Sequence, residues 1–375
     1  MEYTLRSLGS FSEMKYGKMP NKKMSSDKGK YPIFSGYRVV GYCDECNIGE
    51  QQLVVVARGV GGTGDVKLSP GACFLTNLSI AVLVDESVAL KKYLYYYFLK
   101  NNLSYLDSGS AQSQITIGDL KNVEVPLPSI ETQKKVVSIL GVIDEKINNN
   151  VAINDNLYAQ AKATTKQWIA KSTGDYELLP LSEIASINPD TYSPKEAWKY
   201  VNYLDTSSII EGCIAEIQHI TPSSEKLPSR ARRKIAPNDI VFSTVRPNQR
   251  HYGIISEPLP NMLGSTGFAV IRSKNPLVCN ELIYLCLTEN EFIEKMQQLA
   301  EQSTSTFPSI KPSDLGVCEI PCPKDQSSTS FTETLKSLFA LIAANQRENI
   351  SLSEIRDALL PKLMSGEIDV SGVQL

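Results

Sequence analysis

Histidine is nearly missing from this chain of 375 residues, which holds only His219 and His251. So little imidazole leaves little capacity for acid–base chemistry, and no nucleophile sits in a recognisable elbow motif. Long apolar runs are missing too: no stretch approaches membrane-spanning length, and the opening MEYTLRSLGS lacks the apolar core of a signal peptide. The expected compartment is therefore the cytoplasm, with no membrane partner. Cysteine is present eight times but without framework spacing, which reads as reduced, buried thiols. Cys43 and Cys46 make one C-x-x-C, with Cys318 and Cys322 the nearest second pair, and a zinc site would need two more ligands than the first pair supplies. Nor is there an excess of positive charge. The formal net charge of −3 argues against a general polyanion binder, though not against a sequence-specific one, whose contacts depend on local patches.

What is there is a duplicated heptad pattern. Val136, Leu140, Ile143, Ile147, Asn150, Asn154, Leu157, Ala161, Thr164 and Trp168 step by alternating four and three residues, the seam of a coiled coil. Phe331, Leu335, Leu338, Ile342, Asn345, Asn349, Leu352, Arg356, Leu359 and Leu363 repeat it 195 residues later, with no insertion. A polar residue in such a seam costs stability and serves mainly to fix register and partner. Asn150, Asn154, Asn345 and Asn349 are thus register candidates. An antiparallel pairing sets Asn150 against Asn349, Asn154 against Asn345, Trp168 against Phe331 and Val136 against Leu363. A parallel pairing would also match asparagines, but it would require the intervening segment to span the helix length, and domain ends usually lie close together.

Outside the helices the chain reads as β-rich. Lys15, Lys18, Lys22, Lys23, Lys28 and Lys30 form a basic stretch opposed only by Asp27, a solvated loop or a phosphate-contacting one. Strands are expected at 53–57, 72–75 and 80–84, and a short aromatic helix at 91–100. The turn Gly59 to Gly64 satisfies G-x-G-x-x-G, but the residues after it read as a turn into another strand where a dinucleotide fold requires a helix. A tight turn that allows close backbone approach fits better. The segment from Ser110 to Pro128 closes the first globular part, and its Asp119-Leu120 and Val125-Pro126-Leu127-Pro128 return as Asp314-Leu315 and Ile320-Pro321-Cys322-Pro323, again 195 residues on. Fainter matches follow with a growing offset: Tyr3 with Tyr176, Arg58 with Arg246, Ala81-Val82 with Ala269-Val270.

Two catalytic motifs come close and fail. Asn188-Pro189-Asp190-Thr191-Tyr192 departs from the N-P-P-Y of amino-methyltransferases at its second proline and aromatic, and Pro189-Asp190 with Glu196 and Lys199 has the wrong spacing for a metal nuclease. What remains is binding. Lys226, Arg230, Arg232, Arg233, Lys234, Arg246 and Arg250 face only Glu225 and Asp239, with Asn248 and Gln249 between the last two arginines. Arginine reads guanine bidentately and Asn or Gln reads adenine, so Arg246, Asn248, Gln249 and Arg250 carry base-reading chemistry. Arg230, Arg232, Arg233 and Lys234 better suit phosphates, or form a solvated basic loop.

The duplicated closing phrase, the strand and turn from Val54 to Gly64, the run Pro237 to Pro247 and the ending Leu359 to Ile368 resemble the specificity subunit of type I restriction-modification enzymes. The resemblance covers essentially the full length. It implies an α+β fold in which two pseudo-repeated β-rich target-recognition domains are joined by two long antiparallel coiled-coil helices. The expected boundaries are 1–128 for the first recognition domain, 129–172 for the first spacer helix, 173–323 for the second domain, and 324–375 for the second helix and tail. It further implies a non-catalytic subunit that reads a bipartite, asymmetric double-stranded DNA target, with two methyltransferase subunits, and restriction subunits where present, as partners. S-adenosylmethionine, ATP and Mg would be bound by those partners and not by this chain. Arg58, Thr63 and Lys67 are the contact candidates in the first domain. A different class of reading is a duplicated, non-catalytic protein-interaction scaffold that never binds DNA. A third, a nucleotide-dependent enzyme, rests on the glycine turn alone.

Overall fold

The computed structural model describes residues 2–21, 29–59, 62–107, 114–172, 174–302 and 307–374. Lys22, Lys23, Asp27, Lys28, Val60, Gly61 and Ser110, which entered the readings above, lie outside the described residues. The fold is mixed, with two β-rich lobes and two long helices, Ile130–Lys171 and Thr329–Ser365. The chain divides into two compact units: Met1–Asn148 with Asn349–Leu375, and Asn149–Glu348. Each unit therefore takes part of both long helices.

In the first unit the run Leu53–Val56 is a central strand with every side chain buried, as a β-branched segment covered on both faces must be. Four antiparallel strands lie in the order Ser12–Tyr16, Ser79–Val84, Leu53–Val56, Val66–Leu68. A ribbon pairs Thr4–Ser7 with Glu124–Leu127, and a three-stranded sheet joins Val39–Cys43, Tyr31–Phe34 and Phe74–Leu75, the last two parallel. The helix Lys91–Lys100 turns Tyr93, Leu94, Tyr96 and Phe98 inward. Leu53, Val55, Ile80 and Val82 share their core with Val136 and Leu140 of the first long helix and Leu360 and Leu363 of the second. Each such side chain contributes about 1.5–3 kcal/mol by burial, so the helix ends are anchored to the lobe.

The second unit has the same strand order around different residues: Ala185–Ile187, Phe268–Ser273, Asp239–Ser243, Tyr252–Ile255, again all antiparallel. Its ribbon pairs Tyr176–Pro180 with Glu319–Pro323. Its additional sheet runs Gln218–Ile220, Val201–Leu204, Met262–Ser265, Ala231–Lys234, with a parallel pair at its centre. Backbone pairing also corrects two matches made from sequence, Arg58 with Arg246 and Ala81-Val82 with Ala269-Val270. Leu53 pairs with Val82 as Ile240 pairs with Ile271, and Ile115 N donates to Ala57 O (3.0 Å) as Ile310 N donates to Thr244 O (2.9 Å). In this register Arg58 occupies the place of Val245, and Arg246 lies one residue further on. The repeated tract Val-Val-Val against Ile-Val-Phe is too uniform to fix register by composition, and a slip of one residue exchanges the faces of an extended strand.

Within the second unit Asn345 Nδ2 donates to Asn154 Oδ1 (2.8 Å), Asn150 Nδ2 donates to Glu348 Oε2 (2.8 Å), and Trp168 stacks on Phe331 with centroids 4.4 Å apart. Within the first, Asn349 Nδ2 donates to Ile147 O (3.4 Å), and Arg356 pairs with Asp144 at 3.3 Å. Partner numbers fall along one helix as they rise along the other, so the helices run antiparallel within each unit.

Candidate nucleic-acid interface

The base-reading candidates of the second unit sit on one hairpin turn. Strands Asp239–Ser243 and Tyr252–Ile255 are closed by Ser243 N donating to His251 O at 2.8 Å, and the residues between form the turn. Arg246 and Arg250 bracket its 3-10 turn Pro247–Gln249, and both adopt left-handed backbone, with φ of 48° and 57°. A non-glycine residue pays about 1–2 kcal/mol for that conformation, so other contacts must impose it. Arg246 N donates to Pro308 O (2.9 Å), and its guanidinium lies 5.0 Å from the Phe307 ring, which is 54% exposed. Asn248 N donates to Gln297 Oε1 (3.3 Å), while the side chains of Asn248 and Gln249 are exposed.

Arg250 is differently engaged. Its Nη1 meets Glu211 Oε1 at 3.0 Å and its Nη2 donates to Asn290 Oδ1 at 2.8 Å, and Glu211 N donates back to Arg250 O at 2.9 Å. Partial burial pulls the guanidinium pKa down, but Tyr252 and Glu211 more than offset this and leave it above its ordinary value.

Three of the phosphate candidates, Arg232, Arg233 and Lys234, lie on a strand, and Arg230 lies in the turn before it. Ala231–Lys234 is the edge strand of the additional sheet, and a register shift between Ala231 and Arg233 breaks its alternation. Arg230 is exposed; Arg232 and Arg233 are half-buried, and Arg232 Nη1 and Arg233 Nε are buried without a hydrogen-bond partner. Burial holds the Arg233 pKa below its usual value. Buried donors left unpaired cost about 1–3 kcal/mol each, and an anionic ligand would relieve that cost. Lys234, by contrast, is committed to Glu196 at 2.6 Å and lies 5.3 Å from the Trp198 ring.

In the first unit the glycine turn occupies the corresponding hairpin, between Leu53–Val56 and Val66–Leu68, where Val56 N donates to Asp65 O at 2.9 Å. Two of its glycines are required by a tyrosine. Gly59 and Gly62 have φ of 137° and 105°, and a Cβ on them would lie 2.4 Å from Tyr37 Oη and 2.8 Å from its ring. Tyr37 Oη donates to Arg58 O (3.1 Å), and Asn102 Nδ2 donates to Asp65 Oδ1 (2.8 Å). Arg58 Nε is buried without a partner. Thr63 is buried and its hydroxyl donates to Gly59 O (3.2 Å), which gives it to the turn. Lys67, half-buried on its strand, lines a cleft of about 500 Å³ with Tyr37, Lys92, Tyr95, Asp144 and Arg356. Tyr37, Phe307, Glu211 and Asn290 were not identified from sequence; only the glycines at 59 and 62 signalled that something packs against them.

Among the described residues no group of three or more His, Cys, Asp and Glu side chains could hold a metal ion, and no helix is long and apolar enough to cross a membrane. Residues 1–158 match the family described as the type I restriction modification DNA specificity domain. The chain is 25% identical over 322 residues to the MjaIX specificity subunit of Methanocaldococcus jannaschii, covering 79% of this chain and 73% of that one. It is 21% identical over 363 residues to the HindI specificity subunit of Haemophilus influenzae, covering 76% and 79%. In fold it is similar to the crystal structure of a type I restriction-modification S subunit from M. genitalium, with a TM-score of 0.59 at 20% identity over 97% of this chain and 96% of that one. Residues 1–158 thus match a type I restriction modification DNA specificity domain, and over most of its length the chain is similar to specificity subunits of type I restriction-modification systems.

Proposed function

We propose that this chain reads a bipartite, asymmetric DNA target, each unit taking one half, and directs adenine methylation, and restriction where that subunit exists, by partner subunits. The observation that supports it is the same strand order in both units around hairpin turns of different chemistry, glycine-rich in one and arginine-rich in the other. A common frame with different tips suits two readers attached alike but aimed at different bases. In this reading the recognition domains are residues 1–128 and 173–323, copies of one ancestor, and the helices 129–172 and 324–375 are the spacer between them.

Roles then divide by geometry. Arg246, Asn248 and Gln249 meet base edges in the second half, and Arg230, Arg232 and Arg233 take phosphates, with Lys234 held in reserve by Glu196. In the first half Arg58 and Lys67 serve DNA, while Thr63 keeps the turn in shape. Asn150, Asn154, Asn345 and Asn349 set helix register and hence the unread spacer. The chain itself contributes no catalysis. Two methyltransferase subunits flip and methylate an adenine in each half, bringing S-adenosylmethionine, and ATP and Mg come with restriction subunits.

The test is to co-express the chain with its methyltransferase and map methylated adenines on host DNA by single-molecule sequencing. A single split motif that disappears without this chain is the expected result. Methylation that is independent of the chain, despite a folded complex, would favour the protein-interaction scaffold.

A further inference from the structure

The second unit spends one of its base-reading arginines on the protein itself. Three non-glycine residues in left-handed backbone, Glu211, Arg246 and Arg250, meet around the hairpin turn. Glu211 and Arg250 are joined twice, through their side chains at 3.0 Å and from Glu211 N to Arg250 O at 2.9 Å, and Gly212 N adds a bond to Tyr252 O at 2.8 Å. The other arm of the Arg250 fork goes to Asn290 Oδ1 at 2.8 Å, the first residue of the helix Asn290–Glu301. The same helix supplies Gln297 to Asn248 N. The first unit braces its corresponding hairpin in a similar place, with Asn102 Nδ2 on Asp65 Oδ1. An arginine whose fork already holds two partners, on a backbone that strained, is built to hold shape.

We infer that Arg250 is a positioning residue: clamped between Glu211 and Asn290, it fixes the turn that presents Arg246, Asn248 and Gln249 to base edges, and so sets selectivity in one half of the target without touching DNA. This rests on the DNA-reading function proposed above. It removes Arg250 from the base contacts expected from sequence. Residues that read bases must be held within a fraction of an ångström, and their supports are as necessary as the contacts.

The experiment uses the full chain in complex with its methyltransferase and a target library randomised in each half. Arg250→Ala should lower base discrimination in one half on the order of tenfold, the scale of one lost base contact, and leave the other half unchanged. Affinity for unrelated DNA and its salt dependence should not move, because no phosphate contact is lost. If the salt slope instead falls by about one with the motif intact, Arg250 binds a phosphate directly and the inference is wrong. Equal relaxation of both halves would reduce Arg250 to a folding role and also overturn it.

Asn290→Ala, which trims one arm and keeps the Glu211 pair, covers the case in which Arg250→Ala fails to fold. It should relax the same half, more weakly, and the double variant should be no worse than Arg250→Ala alone; additive losses would show that the two residues do not act together. A wild-type complex without sequence preference sinks the DNA-reading function itself. A selective wild type with an unaffected, folded Asn290→Ala variant sinks only the clamp.

Discussion

Asp239 is fully buried, and it is tolerated because three donors meet it: Arg272 Nε at 2.7 Å, Arg272 Nη2 at 2.8 Å and Ala236 N at 2.7 Å. Its hydrogen bonds hold the Arg272 guanidinium well above its ordinary pKa, with Asp190 adding a contact at 3.0 Å. Removing one partner strands the other, so Arg272→Met should cost about 3 kcal/mol, read as a lower urea midpoint; a change below about 0.5 kcal/mol would mean that solvent at the half-exposed arginine already screens the pair. Gly59 makes a similar case from the backbone side. Alanine there combines φ of 137° with a Cβ 2.4 Å from Tyr37 Oη. Gly59→Ala should therefore cost about 1–3 kcal/mol, and Tyr37→Ala on top should recover only the steric part. This explains why the glycine motif was legible but its meaning was not: a positive φ leaves a trace in composition, whereas the ring that demands it lies 22 residues upstream. Arg232, Arg233 and Arg250 show the same limit, since sequence gives the guanidinium but not whether a carboxylate elsewhere has claimed it.

Among elements, the long helices were the most legible, because a seven-residue beat sustained over ten positions has few other physical explanations. The aromatic helix Lys91–Lys100 and the strand Leu53–Val56 also stand where their patterns put them. The strand Ala231–Lys234 did not show itself: four residues with one apolar side chain carry no alternation, and its bulge removes what remained. The repeat register slipped by one for the related reason that uniformly buried strands look alike. The helix pair also refines which asparagines to test. Asn154 and Asn345 bond each other directly, while Asn150 bonds Glu348. Replacing both Asn154 and Asn345 with leucine removes a matched, half-buried polar pair, which is neutral to stabilising, but it also removes a register lock. The melting temperature should hold or rise while the methylated motif acquires mixed spacer lengths; a uniform spacer in a more stable protein would show that apolar packing alone sets the register.

For the whole molecule, the resemblance was legible through order and duplication and not through any single site. The closing phrases and heptads constrain how the two units are built, so they repeat; the turns from Arg58 to Asp65 and from Val245 to His251 are free to differ, so they carry no fixed motif. On the proposed reading, these two kinds of sequence should control separable properties of the target. Inserting seven residues into each long helix, at matched points near Asn154 and Asn345, preserves the seam because a whole heptad returns every residue to its face. It lengthens the pair by roughly 7 × 1.5 Å, about 10 Å, which at about 3.4 Å per base pair corresponds to roughly three further unread positions. The methylated motif should keep both halves, base for base, and gain that spacer. Were the spacer unchanged in a folded, active complex, the separation of the half-sites would be set by the partner subunits and the helices would serve only to join the readers; were either half to change, the turns would not be reading independently of the frame.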